Sequence, residues 1–381
     1  MSDSLPPVWS AEPHTLAKHR ILQEYLAAWM AILSHQSGKL GATTRPLKYI
    51  DAFAGPGIYQ NGEEGSPILA LKVALNHARK FPVPVDFVFI EDDEARYRTL
   101  EQQLLRYRES SANSANVHSV KPVNRDCRIV LNEMLDAAKA NQAGFGPALV
   151  FLDQFGYSGV PMNLIARILA HGECEVLTFF FWRELDRFIS DKSKHSGVTG
   201  AFGGDEWLPA IDLAADRRVE FMSDAYVKAL RTRGGAKFVW PFAMFDDAER
   251  LLAWLFFCTN SLRGLEEMKK AMWKVDRTGG FSFSDKHGLG QLTLLTRYGD
   301  TELAADIKHG LAGRTLSIVR LKEWVLMETP AYKFKGALAL LEKQHILKPL
   351  SPPPKRRVGQ FADETMLVEL NASGPPQSLF G

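Results

Sequence analysis

The sequence predicts a doubly wound α/β fold, and three observations carry that expectation. Apolar runs of strand length end repeatedly in a carboxylate: Tyr49 to Asp51, Val85 to Glu91, and Ala148 to Asp153. Such runs, bounded by turn residues, read as buried parallel strands. Between them lie helix-like stretches such as Ile68 to Arg79, so strand alternates with helix and the crossovers are right-handed. Finally, the first run passes straight into Ala54-Gly55-Pro56-Gly57, where two glycines let the backbone bend sharply.

The elements follow in order. His14 to Gln36 carries Leu16, Ile21, Leu22, Tyr25, Leu26, Trp29 and Ile32 near helical spacing, an amphipathic helix expected to pack on the sheet. On it, Lys18 and His19 are read either as a solvated face or as groups reaching a ligand's carboxylate. A polar loop spans Gly38 to Arg45, and another, Gln60 to Pro67, lengthens the first crossover. Glu173 to Trp182 reads as the fifth strand, and 183–235 as a helical insertion with a glycine-rich stretch at Gly197 to Gly204. Phe238 to Phe245 and Arg250 to Thr259 are aromatic, β-rich runs that fit an antiparallel hairpin. Leu265 to Val275 is helical and is followed by a turn at Asp276 to Gly280. Thr315 to Met327 and Tyr332 to Gln344 read as helices, and Lys348 to Leu370 as a two-stranded wing carrying the basic run Pro352 to Val358. The expected division is therefore 1–46 helical, 47–264 the α/β core, 265–314 a helical connector, 315–370 a winged-helix-like domain, and 371–381 a flexible tail.

The pattern D-x-F-x-G-x-G, here Asp51, Phe53, Gly55 and Gly57, resembles motif I of S-adenosyl-L-methionine-dependent methyltransferases, particularly those acting on nucleic-acid bases. It differs from the G-x-G-x-x-G of nicotinamide enzymes because the acid precedes the glycines. A turn of this build lets backbone N–H groups approach a bulky ligand without Cβ interference. Asp51 is expected to order the turn or to contact the ammonium of the cofactor. Glu91, with Asp92 as the alternate, stands where doubly wound folds place a ribose-binding acid. Asp126, in Asn124-Arg-Asp-Cys127, resembles the adenine-contacting position; it is equally a cap for the helix that begins near Ile129.

His14 to Trp29, Tyr49 to Gly57, Gly65-Ser66-Pro67, Phe151 to Pro161 and Ala271 to Asp285 together resemble the three-Cys-motif partner protein family (TcmP). That resemblance spans nearly the whole chain. It implies a Rossmann-like methyltransferase fold and a partner protein with a three-cysteine motif. The family carries D-P-F-G where this chain has Asp153-Gln154-Phe155-Gly156. D-P-F-G is similar to motif IV of tRNA guanine-N2 methyltransferases and related to the D-P-P-Y of adenine-N6 enzymes. The resemblance implies that Asp153 and a following carbonyl accept hydrogen bonds from an exocyclic amine, while Phe155 stacks on an extruded base. Gln154 departs from the pattern, for it lacks proline's fixed φ and leaves the turn less pre-organised. Tyr157 and Trp182 are candidates to line a base pocket.

Composition bounds the rest. The 381 residues are 46% hydrophobic and 24% charged with a net charge of +2, so nucleic-acid binding requires a local basic patch. Lys355, Arg356 and Arg357 form the densest one. Three dispersed cysteines argue against a disulfide framework or zinc site, and Cys127 reads as a buried thiol. No metal is expected, since the histidines lack ligand spacing. No signal or membrane span is apparent, which points to the cytoplasm. The expected function is methyl transfer from S-adenosyl-L-methionine to an exocyclic amine of DNA or RNA; the competing expectation is a catalytically weak adaptor that acts through its partner.

Overall fold

The computed structural model describes residues 8–39, 45–110, 114–142, 144–154, 156, 159–276, 282–284, 298–350, 352–361 and 365–371. Phe155, Tyr157, Asp285, most of the Gly38 to Arg45 loop and of the Asp276 to Gly280 turn, and nearly all of the tail lie outside these residues. The chain divides into two compact units, Met1–Val275 with Ser282–Gln291, and Asp276–Phe281 with Leu292–Gly381.

In the first unit, helix α1 (Pro13–Lys39) precedes strand β1 (Leu47–Asp51). Strands β2 (Val85–Ile90), β3 (Val117–Val123), β4 (Ala148–Leu152) and β5 (Cys174–Phe180) then alternate with helices α2 (Ser66–Leu75), α3 (Glu94–Ser110), α4 (Cys127–Ala140) and α5 (Met162–Leu169). Helices α6 (Trp182–Phe188), α7 (His195–Phe202) and α8 (Ala215–Thr232) fill the predicted insertion. Strands β6 (Phe238–Phe245) and β7 (Leu251–Thr259), helix α9 (Leu262–Val275) and strand β8 (Ser282–Ser284) complete the unit.

These strands form one sheet in the order β3-β2-β1-β4-β5-β7-β6-β8. Strands β1 to β5 are parallel, and β7 runs antiparallel between β5 and β6. This is a Rossmann-like architecture, a mostly parallel sheet finished by an antiparallel hairpin. The strand composition follows from the layering. Every residue of β4 and β5 is buried because helices cover both faces, and Glu175 is accommodated in β5 because the Tyr25 and Thr259 hydroxyls donate to it. Helix α1 packs against α2 and α9 and buries Ile21, Leu22, Tyr25, Leu26, Trp29 and Met30. Lys18 and His19 are buried too, at 5% and 3% exposure, so the solvated-face reading of these two residues is overturned.

The predicted connector divides between the units. Helix α9 belongs to the first, and α10 (Asp300–Gly310) to the second. The second unit continues with β9 (Thr315–Ser317), α11 (Ile318–Glu328), α12 (Lys335–Lys343), β10 (Leu347–Leu350) and β11 (Leu367–Leu370). Its antiparallel sheet has the order β10-β11-β9. Thr315 to Met327, expected as one helix, is thus split. Thr315 to Ser317 pairs with β11, and the Ser317 hydroxyl caps α11 by accepting the Arg320 N–H. A pairing partner about 50 residues away leaves no trace in local periodicity. The core of this unit gathers Leu303, Ile307, Ile318, Leu321, Val325 and Leu341. Among the described residues no helix is long and apolar enough to cross a membrane.

The basic run lies in the connection between β10 and β11, and its three cations differ. Arg356 turns inward to form a two-pronged pair with Glu342, at 2.6 Å on each prong, and lies 4.7 Å from the centre of the Phe361 ring. Its Nε donates to the Gln360 carbonyl, and the Gly359 N–H reaches the same Glu342 carboxylate. The expectation that Arg356 contacts nucleic acid is therefore corrected, since its guanidinium is committed within the unit. Lys355 and Arg357 are exposed. Arg356 holds the Glu342 carboxyl below the usual carboxylate range, so the pair's stability is present at neutral pH and is lost as acid protonates Glu342. Because both side chains are about nine-tenths buried, Arg356→Ala is expected to cost the second unit about 3 kcal/mol. Arg357→Ala should stay within about 0.5 kcal/mol. Denaturant melts of the full chain check the contrast, and equal losses would refute the inward role of Arg356.

Candidate functional site

Strand order reverses at β1, which has β2 on one side and β4 on the other. In doubly wound sheets the crevice outside the C-terminal strand ends at such a reversal is where ligands bind. Here that crevice is a cleft of about 440 Å³, walled by the turn after β1, the acids after β2 and β3, Asp153 after β4, Phe179 and Phe181 at the end of β5, and Lys18 from α1.

The turn uses glycine for two reasons. Gly55 and Gly57 have φ of +61° and +75°, the left-handed region that side chains disfavour. A Cβ on Gly65 would stand 3.0 Å from the Gly57 carbonyl carbon, so the two strands of the loop can close only without it. The amides, however, face inward. Phe53 N–H donates to Asp51 Oδ1 at 3.3 Å, Ala54 N–H to the Ile90 carbonyl at 2.9 Å, and Gly55 N–H to Glu91 Oε2 at 2.8 Å. The expectation that this turn offers those N–H groups to a ligand is corrected. What it offers the cleft is the bare Cα of Gly55, between Ala54 and Pro56.

Asp51 is fully buried behind this wall, in register with Phe89 and Phe151. Burial pushes its carboxyl up to about 7; bonds from Ser66 and Phe53 pull it down, and the charge of Asp153 raises it further. Its one bond to the turn is the Phe53 N–H it accepts. Glu91 binds the Gly55 N–H with one oxygen and the Asp93 N–H with the other, at 3.0 Å, and still lines the cleft beside exposed Asp92. Burial raises its pKa against those bonds and the charge of Arg96. Asp126 caps α4 by accepting the Arg128 and Ile129 N–H groups, and its carboxylate is paired with the Arg128 guanidinium. The capping alternative is thus present, at the cleft wall. Cys127 has its thiol pushed up to about 12 by burial, which fits a buried thiol and no nucleophile.

Lys18 makes the contact that the sequence did not show. Its ammonium lies 2.6 and 2.5 Å from the two oxygens of Asp153 and 4.5 Å from the centre of the Phe179 ring. Beside it, His19 is wholly buried, and neither ring nitrogen has a hydrogen-bond partner. Burial, and then the charge of Lys18, lower its pKa to about 3, so it is neutral. Gln154 is buried and acts as a brace. Its Oε1 accepts the Val160 N–H at 2.7 Å, and its Nε2 reaches the Phe179 carbonyl at 3.4 Å. The Gln154 amide thus links the backbone at Val160 to the end of β5.

Trp182, considered for a base pocket, instead packs on Trp254 at 5.5 Å between ring centres, in the core. The cleft rim includes residues that sequence reasoning passed over. Arg96 stacks on Trp9 at 4.9 Å, and Trp9 meets Tyr59 edge-on at 5.9 Å. No local signal marks Trp9, which reaches the site from before α1. Among the described residues no cluster of three or more His, Cys, Asp or Glu is arranged to hold a metal.

No protein-family model matches the chain, and comparison with curated proteins gives no match. Among solved structures, the chain is similar to Trm1 from Pyrococcus horikoshii in complex with S-adenosyl-L-methionine. That match has 13% identity and a TM-score of 0.33, and covers 98% of this chain and 94% of that one. It is also similar to a DUF574 family protein from Streptomyces avermitilis, at 11% identity and a TM-score of 0.31, covering 63% and 83% respectively. At these scores neither likeness bears on activity, and the fold rests on the strand order itself.

The position of Asp51 has a measurable consequence. The unfolded chain releases this proton near pH 4, whereas the folded chain holds it to about 7. Native stability therefore falls as pH rises across that window, by as much as about 4 kcal/mol above it. Asp51→Asn should leave stability nearly unchanged at pH 4 to 5 and raise it at pH 8. Thermal melts at both pH values check this, and an equal effect at the two would show that the carboxyl titrates normally.

Proposed function

We propose that this chain binds S-adenosyl-L-methionine in the cleft and transfers its methyl group to an exocyclic amine of a nucleic-acid base. The observation that supports this most is the placement of the glycine turn, the acids at 91 and 92, and Asp153 around one cleft at the reversal of strand order. The residues fit such a cofactor. A carboxylate offers about four lone-pair sites, so Glu91 can take a ribose hydroxyl beyond its two backbone bonds, with Asp92 next to it. Gly55, where an added Cβ would meet only Trp9 at 3.9 Å, leaves room for a flat group against the backbone. The cofactor, when bound, supplies an electrophilic methyl on a positive sulfur. Asp153 orients the acceptor's N–H, and Phe181 gives an aromatic wall for a base. Attack by nitrogen needs position more than a strong base.

In the second unit, the order helix, strand, helix, helix, strand, strand supports a winged-helix reading, and exposed Lys355 and Arg357 supply cations for phosphates. DNA and RNA fit this equally. The second reading, a weakly catalytic adaptor for a three-Cys-motif partner protein, is favoured by one observation: Lys18 already holds both oxygens of Asp153.

Calorimetry with S-adenosyl-L-methionine and S-adenosylhomocysteine tests the cofactor. Wild type should bind both, and Gly55→Val, strained at φ +61°, should bind neither. Asp153→Asn should lower methyl transfer to nucleic acid by about 100-fold while cofactor affinity changes only a few-fold. No binding by wild type would leave the adaptor reading standing alone. Separately, replacing Lys355 and Arg357 with alanine should reduce the salt dependence of nucleic-acid binding by about two phosphate contacts. An unchanged slope would remove this unit from the interface.

A further inference from the structure

We infer that Lys18 decides which methyl acceptors this chain takes: by neutralising Asp153 it admits uncharged N–H donors and turns away ammonium groups. The inference rests on the reading that Asp153 faces the acceptor. An acceptor site for a protein lysine or a polyamine needs an acid free to receive a cation. Here the acid already has one, with the Lys18 ammonium against both oxygens and only 6% of that side chain exposed.

Of the other acids of the cleft, Glu91 and Asp126 already accept backbone N–H groups, and exposed Asp92 stands with Glu91 after β2, across β1 from Asp153. Asp51 lies behind the wall, wholly buried, and interacts with the same pair without lining the cleft. His19 is neutral, and Tyr59, whose pKa burial and then the charge of Asp153 push up, is neutral too. The ring of Phe179, which would favour a cation, has Lys18 over it. An incoming ammonium would therefore meet a site whose carboxylate and aromatic face are both taken by a like charge.

An uncharged amine meets a different site. Two of the carboxylate's lone-pair positions are used by Lys18, and the remaining ones belong to a side chain 17% exposed that lines the cleft. Lys18 fixes the plane of that carboxylate, so a neutral N–H can bond to it without bringing charge. The exocyclic amines of nucleic-acid bases belong to this class; alkylamines at neutral pH do not.

The test uses matched aromatic probes at pH 7.5: aniline, which is uncharged, benzylamine, which is an ammonium, and benzoate. Affinities are measured by ligand-observed NMR on the full chain without cofactor. Wild type should favour aniline over benzylamine by about tenfold. Lys18→Met should reverse that order, and Lys18→Arg should keep it. Asp153→Asn, which leaves the lysine uncompensated, should make benzoate the best of the three, and this variant carries the test if Lys18→Met does not fold. Equal binding of aniline and benzylamine by wild type would overturn the inference. So would an order unchanged in the variants, or no binding by any probe. Failure of the calorimetric experiment removes methyl transfer but leaves this charge selection measurable. Cofactor binding without charge preference removes only the role of Lys18.

Discussion

The pair between Lys18 and Asp153 is the contact on which the site depends. It joins α1, which comes before the sheet in the chain, to the end of β4 at the reversal of strand order. A buried ion pair adds little net stability, because desolvation offsets the attraction, yet removing one partner leaves a costly lone charge. The pair therefore acts less as glue than as a positional constraint. Helix α1 cannot slide along the sheet without stranding an ammonium in a wall of phenylalanines. The same constraint keeps Asp153 in one orientation at the cleft.

The other acids at the strand ends obey a similar logic. Each finds donors within the chain before any ligand is considered: Asp51 the Phe53 N–H, Glu91 the N–H groups of Gly55 and Asp93, Asp126 the first turn of α4. Strand ends abut loops and helix starts whose amides lack intrahelical partners, and a buried amide left unpaired is expensive. The acids answer that demand first. A ligand would use the lone pairs left over, and would meet a wall already rigid.

Much of the fold was legible because it depends on local pattern. Buried strands announce themselves as apolar runs, and β1, β2, β4, β5 and the β6–β7 hairpin fall where those runs are. The acids at 51, 91, 126 and 153 do surround one end of the sheet. What was not legible depends on distance in the chain. The pairing of Thr315 to Ser317 with β11, the approach of Trp9 to Arg96, and the 135-residue separation of Lys18 and Asp153 have no periodicity to betray them. Charge also misled. Lys18 and Arg356 look like surface residues by type, and each is buried because a single carboxylate awaits it.

Gln154 shows how a departure from a motif can keep its physical content. Proline stiffens a turn by fixing one φ, an effect confined to its own residue. Glutamine leaves that torsion free but carries an amide that can bond at a distance. Here it bonds to Val160, six residues on, and reaches toward β5. Gly159 completes the arrangement, since a Cβ there would stand 2.7 Å from Gln154 Oε1. Gln154 is thus a side chain packed against a bare backbone, and it joins positions 154 and 160. A constraint on one torsion gives way to a contact at a distance, which holds only while Gln154 stays buried against β5.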